Sequence, residues 1–182
     1  MNSRFGEIAH NNGTLAFSMA LVLHEGPLGV SWQHASETCE FLGDVFALHH
    51  AKSIGDYQDA RHSIIYLVNE LLENAIKFRS PGDIRINCTL EGNNLELTVS
   101  NYAEAPVAER FKGLLAEITT RDPGDLLIER IEANAADENS SASGLGLLTL
   151  MNDYGARLGW DFREAHAGDA VVLSTYASLT LN

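Results

Sequence analysis

Glu70, Asn74 and Lys77 stand at i, i+4 and i+7 in an otherwise apolar run, with Glu73 at the edge of the same stripe. On a helix this spacing lines up an anion, a neutral oxygen ligand and a cation. A carboxylate there can orient or deprotonate a hydroxyl, an amide oxygen can coordinate Mg²⁺, and an ammonium can meet phosphate oxygens. Taken alone, the stripe is more readily read as a solvated face carrying a Glu73–Lys77 ion pair. The second chemical feature is Ser143-Gly144-Leu145-Gly146-Leu147, where a small, polar stretch enters a helical run. Backbone N–H groups at a helix start are free to bind phosphate, and glycine lets an anion approach closely. By itself such a glycine pair commonly does no more than punctuate a turn.

The elements that must position these residues follow from periodicity. Apolar residues at Ile64, Ile65, Leu67, Val68, Leu71, Leu72, Ala75, Ile76 and Phe78 form one broad arc of a helix running from about Asp56 to Arg79. Ser80-Pro81-Gly82-Asp83 ends it. An earlier helix is expected over Ser31–Leu48, and Leu15–Leu23 reads as a buried strand or a short helix. Alternation at Ile84, Ile86, Cys88 and Leu90, a turn over Glu91–Asn94, and alternation at Leu95, Leu97 and Val99 make a β-hairpin. Helices are expected at Val107–Thr119, Gly124–Asn134 and Leu145–Leu158, with a mobile stretch over Ala133–Ser143. Strands at Trp160–Glu164 and Ala170–Ala177 close the chain across an Ala167–Asp169 turn. This order predicts a single-domain, two-layer α/β sandwich, with a mainly antiparallel mixed sheet and helices on one face.

Composition narrows the function. The 182 residues carry 12 Lys+Arg against 25 Asp+Glu, a formal charge of −13 that repels nucleic-acid backbones and anionic membrane surfaces. No nucleic acid and no membrane partner is therefore expected. A nucleotide is not excluded, because local donors and a metal ion outweigh net charge at a phosphate site. Only Cys39 and Cys88 occur, without metal-site or disulfide-framework spacing, and the longest apolar run is too short for a membrane span, so a cytoplasmic location is expected.

Taken together, Glu70-Leu-Leu-Glu-Asn-Ala-Ile-Lys-Phe78, a hairpin, a long insert and Ser143-Gly-Leu-Gly-Leu147 occur in the order of the GHKL ATPase and kinase superfamily, which this sequence resembles from about Ser53 onward. The stretch Gly144–Trp160 is similar to that of stand-alone anti-sigma-factor-type serine/threonine kinases of bacteria, and within them to the SiaB-like subgroup. The resemblance implies a Bergerat-type ATP-binding fold with ATP and Mg²⁺ as cofactors. It matches Glu70 to the catalytic, acceptor-orienting carboxylate and Asn74 to the Mg²⁺ ligand. Lys77 matches a phosphate-meeting position, and Ser143, Gly144, Leu145, Gly146 and Leu147 match the loop that closes over phosphates. Residues 104–143 would form the lid, and residues 1–52 an added helix and strand that could serve a homodimer interface.

The implied function is phosphorylation of a small antagonist protein, STAS-like or of the Sia-pathway type, in a partner-switching pathway. One motif departs from the superfamily. Its adenine-binding Asp-x-Gly-x-Gly box is replaced by Val99-Ser100-Asn101-Tyr102-Ala103-Glu104, leaving Ser100 or Asn101 to hydrogen-bond adenine without a carboxylate. That departure keeps open an alternative, a catalytically inactive, nucleotide-gated or nucleotide-free module that captures a partner. His24-Glu25 resembles the phospho-accepting box of sensor kinases, but Gly26-Pro27 breaks any helix there. His49-His50 ends a helix with no ligand partner at suitable spacing.

Overall fold

The computed structural model describes residues 2–8, 16–26, 32–136, 144–165 and 170–182. Along the chain these residues form β1 (Ser3–Gly6), β2 (Phe17–Leu23), α1 (Trp32–His50), α2 (Ile54–Phe78), β3 (Ile84–Glu91) and β4 (Asn94–Glu104). Then come α3 (Ala105–Ile118), α4 (Pro123–Ala136), α5 (Leu145–Asn152), β5 (Arg157–Glu164) and β6 (Ala170–Thr180).

Local chemistry fixes the long helix. Ser53 adopts an extended backbone and its Oγ accepts the Asp56 amide at 3.1 Å, which satisfies one of the donors a helix start leaves unmade. From that cap α2 buries Ala60, Ile64, Leu67, Val68, Leu71, Leu72 and Ala75. This is the apolar arc read from the sequence, and burial of each large aliphatic side chain contributes about 1.5–3 kcal/mol. The α1 helix packs alongside, where Gly43 admits the Ile65 side chain; a Cβ at that position would overlap it. Arg61 of α2 binds Asp44 (2.5 Å) and Glu40 of α1, and the Tyr57 hydroxyl donates to Asp44 at 2.9 Å.

The six strands lie in the order β1-β5-β6-β4-β3-β2, and every pairing is antiparallel, so the mixed sheet expected from the sequence is corrected. The reason is topological. The helical segment after β4 returns the chain to β5, but β6 inserts between them, so β4 and β5 run in the same direction without touching. Leu95, Leu97 and Val99 of β4 face the helices, as do Leu158, Trp160 and Phe162 of β5. The opposite face is polar, and its Asp161, 2% exposed, is held there by Arg4 (3.4 Å) and Arg163 (2.6 Å). Trp160 Nε1 is buried without an acceptor among the described residues.

Several boundaries differ from the sequence reading; β5 begins at Arg157 rather than Trp160, and β6 runs on to Thr180. The β1 strand has one apolar residue, Phe5, and offers no alternation to detect. The last helix ends at Asn152 rather than Leu158, because Gly155 turns the backbone at φ +63° and Ala156 returns its amide to the Leu150 carbonyl at 2.9 Å. Of the stretch read as mobile, residues 133–136 continue α4 and 137–143 lie outside the described residues. The sequence leaves Leu15–Leu23 open between strand and helix; its described part is an edge strand. Among the described residues no helix is long and apolar enough to cross a membrane.

Burial pushes both thiols, Cys39 and Cys88, up to about 12. Both are therefore expected to resist a thiol reagent at pH 8 in the native protein and to react fully in denaturant, read as released chromophore; rapid native labelling of either would contradict the packing described.

Candidate functional site

Because the apolar arc of α2 is committed to the core, its rotation is fixed, and Glu70, Asn74 and Lys77 come out on the remaining face. Glu70 is half-buried. Its carboxylate lies against Gly146, so closely that a Cβ built on that glycine would overlap it. Two motifs separated by a hairpin and two helices thus meet at one contact, and a Cβ at Gly146 would displace the Glu70 carboxylate from it. Burial raises the Glu70 pKa, repulsion from Glu73 raises it further, and a hydrogen bond from Tyr66 acts in the opposite direction. Asn74 donates its Nδ2 to the Glu70 backbone carbonyl at 2.7 Å, and among the described residues nothing donates to its Oδ1. Lys77 is exposed, with Nζ 5.2 Å from the Phe78 ring centroid. The Glu73–Lys77 pair is not formed; Glu73 accepts instead from Asn69 at 2.8 Å.

The glycine loop opens α5. Gly144 takes a left-handed backbone (φ 87°, ψ 0°), no side chain caps the helix, and the Gly144 carbonyl accepts the Leu148 amide at 3.1 Å. The N–H groups of Leu145, Gly146 and Leu147 are consequently those a helix start leaves without intrahelical partners. Leu147, Leu148 and Leu150 are buried and anchor this start. Ser143 lies outside the described residues.

The two adenine candidates diverge. Asn101, 3% exposed, shares the helix-facing row of β4 with Val99 and Ala103. Its Nδ2 donates to the Tyr102 carbonyl at 3.0 Å, which also accepts the Ser80 amide at 2.8 Å, tying the end of α2 to the end of β4. Ser100 faces the other side of the sheet and pairs with Ser174, Oγ to Oγ 2.8 Å. The segment expected to be a lid is already docked in its helical part: α3 buries Phe111, Leu115 and Ile118, and Phe111 packs against Phe78 and Trp160.

Two residues the sequence did not single out also reach this site. Tyr66, one turn before Glu70, stacks on Tyr154 with ring centroids 4.8 Å apart, and its i, i+4 spacing to Glu70 was a legible signal. Arg130 of α4 extends a guanidinium over Gly144, where a Cβ would lie 2.6 Å from Nη1; nothing local to Arg130 foretells this.

The histidines set aside from the sequence have structural partners. His24 meets Asp83 at 3.1 Å, Glu25 binds Arg79 at 2.9 Å and the Gly82 amide, His49 stacks on Phe17, and His50 meets the Asn182 carbonyl at 3.1 Å. Among the described residues no group of three or more His, Cys, Asp or Glu side chains is placed to hold a metal ion. A cleft of about 380 Å³ lies farther toward the start of α2, between Asp59, His62, Asp153 and Tyr154, and includes none of the motif residues. The convergence of Glu70 and the glycine loop carries more weight than this cleft, because it unites groups whose chemistries complement one another.

No family model matches the chain, and no curated protein matches it by sequence. Among solved structures it is similar to a chain of the SiaB-SiaC complex from Pseudomonas aeruginosa, with a TM-score of 0.59 at 15% identity over 87% of this chain and 89% of that one. The two therefore share a fold.

Gly146→Ala should destabilise the protein by about 1–3 kcal/mol through overpacking, and Glu70→Ala in the same chain should recover part of that loss, both read by denaturant unfolding. Equal destabilisation with and without Glu70 would contradict the contact. The raised Glu70 pKa also has a sign. Its ionised form opposes folding once pH exceeds the folded-state value, and that opposition is absent below 4.5, the ordinary glutamate value. Glu70→Gln should therefore be more stable than the natural protein at neutral pH, with the gap closing as pH falls towards 4.5; a gap that widens on acidification would contradict the assignment.

Proposed function

We propose that this chain is an ATP- and Mg²⁺-dependent serine/threonine protein kinase of the GHKL type, acting on a small antagonist protein in a bacterial partner-switching pathway of the Sia type. The observation that carries this reading is the seating of the Glu70 carboxylate on Gly146. It puts a proton acceptor beside backbone N–H groups suited to phosphate oxygens, with an uncommitted amide oxygen, Asn74 Oδ1, one helical turn away on α2. Mg²⁺ suits such a place, because it takes one or two protein ligands and completes its shell with phosphate oxygens and water. Bound there, it would neutralise charge on the phosphates.

In the transfer, the hydroxyl oxygen of the acceptor serine or threonine bonds to the γ-phosphorus as the bond to the β,γ-bridging oxygen breaks, and ADP leaves. Glu70 orients the hydroxyl and takes its proton. An upward-shifted carboxylate is better matched to that task than an ordinary one, because its conjugate base is the stronger acceptor. The shared fold with a chain of a two-protein complex supports a protein rather than a small-molecule acceptor. Ile128 and Ile131 stand exposed on α4, whose Arg130 reaches the glycine loop, so apolar surface for such a partner adjoins the site.

A second reading is favoured by Asn101. With no carboxylate at this helix-facing position of β4, adenine recognition loses a charged acceptor, and nucleotide binding would then only gate partner capture. Incubation with Mg-ATP and candidate antagonist proteins, read by intact-mass spectrometry, separates the two. The kinase reading predicts one added phosphoryl group on the partner, lost in Glu70→Gln, while Asn74→Ala loses Mg-ATP binding itself. Phosphate transfer that persists in Glu70→Gln would overturn the assigned role, and partner capture without transfer would establish the gated module.

A further inference from the structure

We infer that Tyr66 is a positioning residue for Glu70: its hydroxyl holds the carboxylate on the glycine loop, and a stacked Tyr154 holds Tyr66. The consequence for catalysis rests on the kinase reading above, whereas the placement itself is a property of two tyrosines that the motifs do not include.

Tyr66 and Glu70 stand at i and i+4, so one turn of α2 sets their side chains next to each other. The Tyr66 ring lies flat on that of Tyr154, with centroids 4.8 Å apart and planes 9° from parallel. Tyr154 is fixed in its turn. It stands just past the end of α5, ahead of the left-handed Gly155, and its hydroxyl meets His62 Nε2, one turn before Tyr66 on α2, at 3.2 Å. The seam between α2 and α5 therefore has two rungs, Glu70 against Gly146 and Tyr66 against Tyr154. The second rung sets the height and rotation at which α5 presents the first.

The Tyr66 hydroxyl is committed in one direction. Thr149 lies three residues after Gly146, on the same side of α5, and its hydroxyl donates to the Tyr66 oxygen. That leaves the Tyr66 proton for Glu70, to which it donates. The other groups that bear on this carboxylate are adverse. Burial and the charge of Glu73 both disfavour the ionised form, and among the described residues no cation is paired with it. Asp153 and Tyr154, packed against Tyr66 from the end of α5, bring no positive charge, and the Arg130 guanidinium lies at Gly144, two residues short of the Glu70 contact. Tyr66 thus supplies the hydrogen bond that favours the charge Glu70 needs as a proton acceptor, and it fixes where the carboxylate points.

A packing role alone makes a different forecast, because Tyr66→Phe keeps the stack on Tyr154 and removes only the hydroxyl. The experiment follows the Glu70 carboxyl carbon by NMR from acid to neutral pH in the full chain without nucleotide, comparing the natural protein with Tyr66→Phe and assigning the signal with Glu70→Gln. It is paired with the pH profile of phosphoryl transfer from Mg-ATP to the antagonist protein found by the mass-spectrometric screen above. We expect the Glu70 titration to move upward in Tyr66→Phe, since the hydrogen bond that is lost favours the ionised form. The acid limb of the transfer profile should move upward with it, with kcat lower by about tenfold or more and KM for Mg-ATP unchanged. A Glu70 titration that stays in place or moves downward overturns the inference while leaving the kinase reading in place. Should Tyr66→Phe fail to fold, Glu70→Gln gives the reciprocal reading: without the carboxylate charge the Tyr66 hydroxyl should ionise at lower pH, and an unmoved Tyr66 titration overturns the inference. Absence of transfer to any partner, in a protein whose Glu70 titration moves as expected, overturns the kinase reading alone.

Discussion

The contact between the Glu70 carboxylate and Gly146 is the constraint on which the remaining geometry depends. A half-buried carboxylate next to another acid is costly, as its raised pKa records, and nothing in core packing asks for it. Its position is imposed from both sides. The α2 arc of Leu67, Val68, Leu71 and Leu72 fixes the rotation that turns Glu70 outward, and Leu147, Leu148 and Leu150 fix the start of α5 against the same core. A side chain at Gly146 would displace the Glu70 carboxylate from this position. A half-buried carboxylate held against a glycine loop is the kind of perturbed group that functional sites gather.

Much of this was legible in the residues. The 3.6-residue arc from Ile64 to Phe78 announced α2, and the alternation from Ile84 to Val99 announced the central hairpin, because both elements bury one face and leave the other polar. The stripe Glu70, Asn74, Lys77 followed directly from the arc. What was not legible is what sequence-distant contacts decide. The β1 strand has four residues and one apolar side chain, and it exists because β5 offers an open edge. Sheet order, and with it the purely antiparallel pairing, depends on β6 inserting beside β4. Arg130 reaches the glycine loop only because α4 docks on α5, and no spacing along the chain records that docking.

The proposed adenine end of the site shows the same division. Sequence left Ser100 and Asn101 as alternatives, since both carry hydrogen-bonding groups. Strand alternation separates them. Asn101 falls in the row of Val99 and Ala103 that faces the helices, and Ser100 in the row that meets Ser174 across the other face. Asn101 is also engaged with the Tyr102 carbonyl, so a bound base would have to share or replace that bond. In the proposed nucleotide site a neutral amide there would support weaker adenine recognition than a carboxylate, which would place more of the binding energy on the phosphate end.

The measurement that bears most directly on the central claim is a crystal structure of the chain with Mg²⁺ and a non-hydrolysable ATP analogue. The account predicts the metal on Asn74 Oδ1 and the phosphates against the backbone N–H groups of Leu145, Gly146 and Leu147, with Glu70 facing the terminal phosphate. An analogue bound instead in the cleft between His62 and Tyr154, or away from Asn74 altogether, would contradict it.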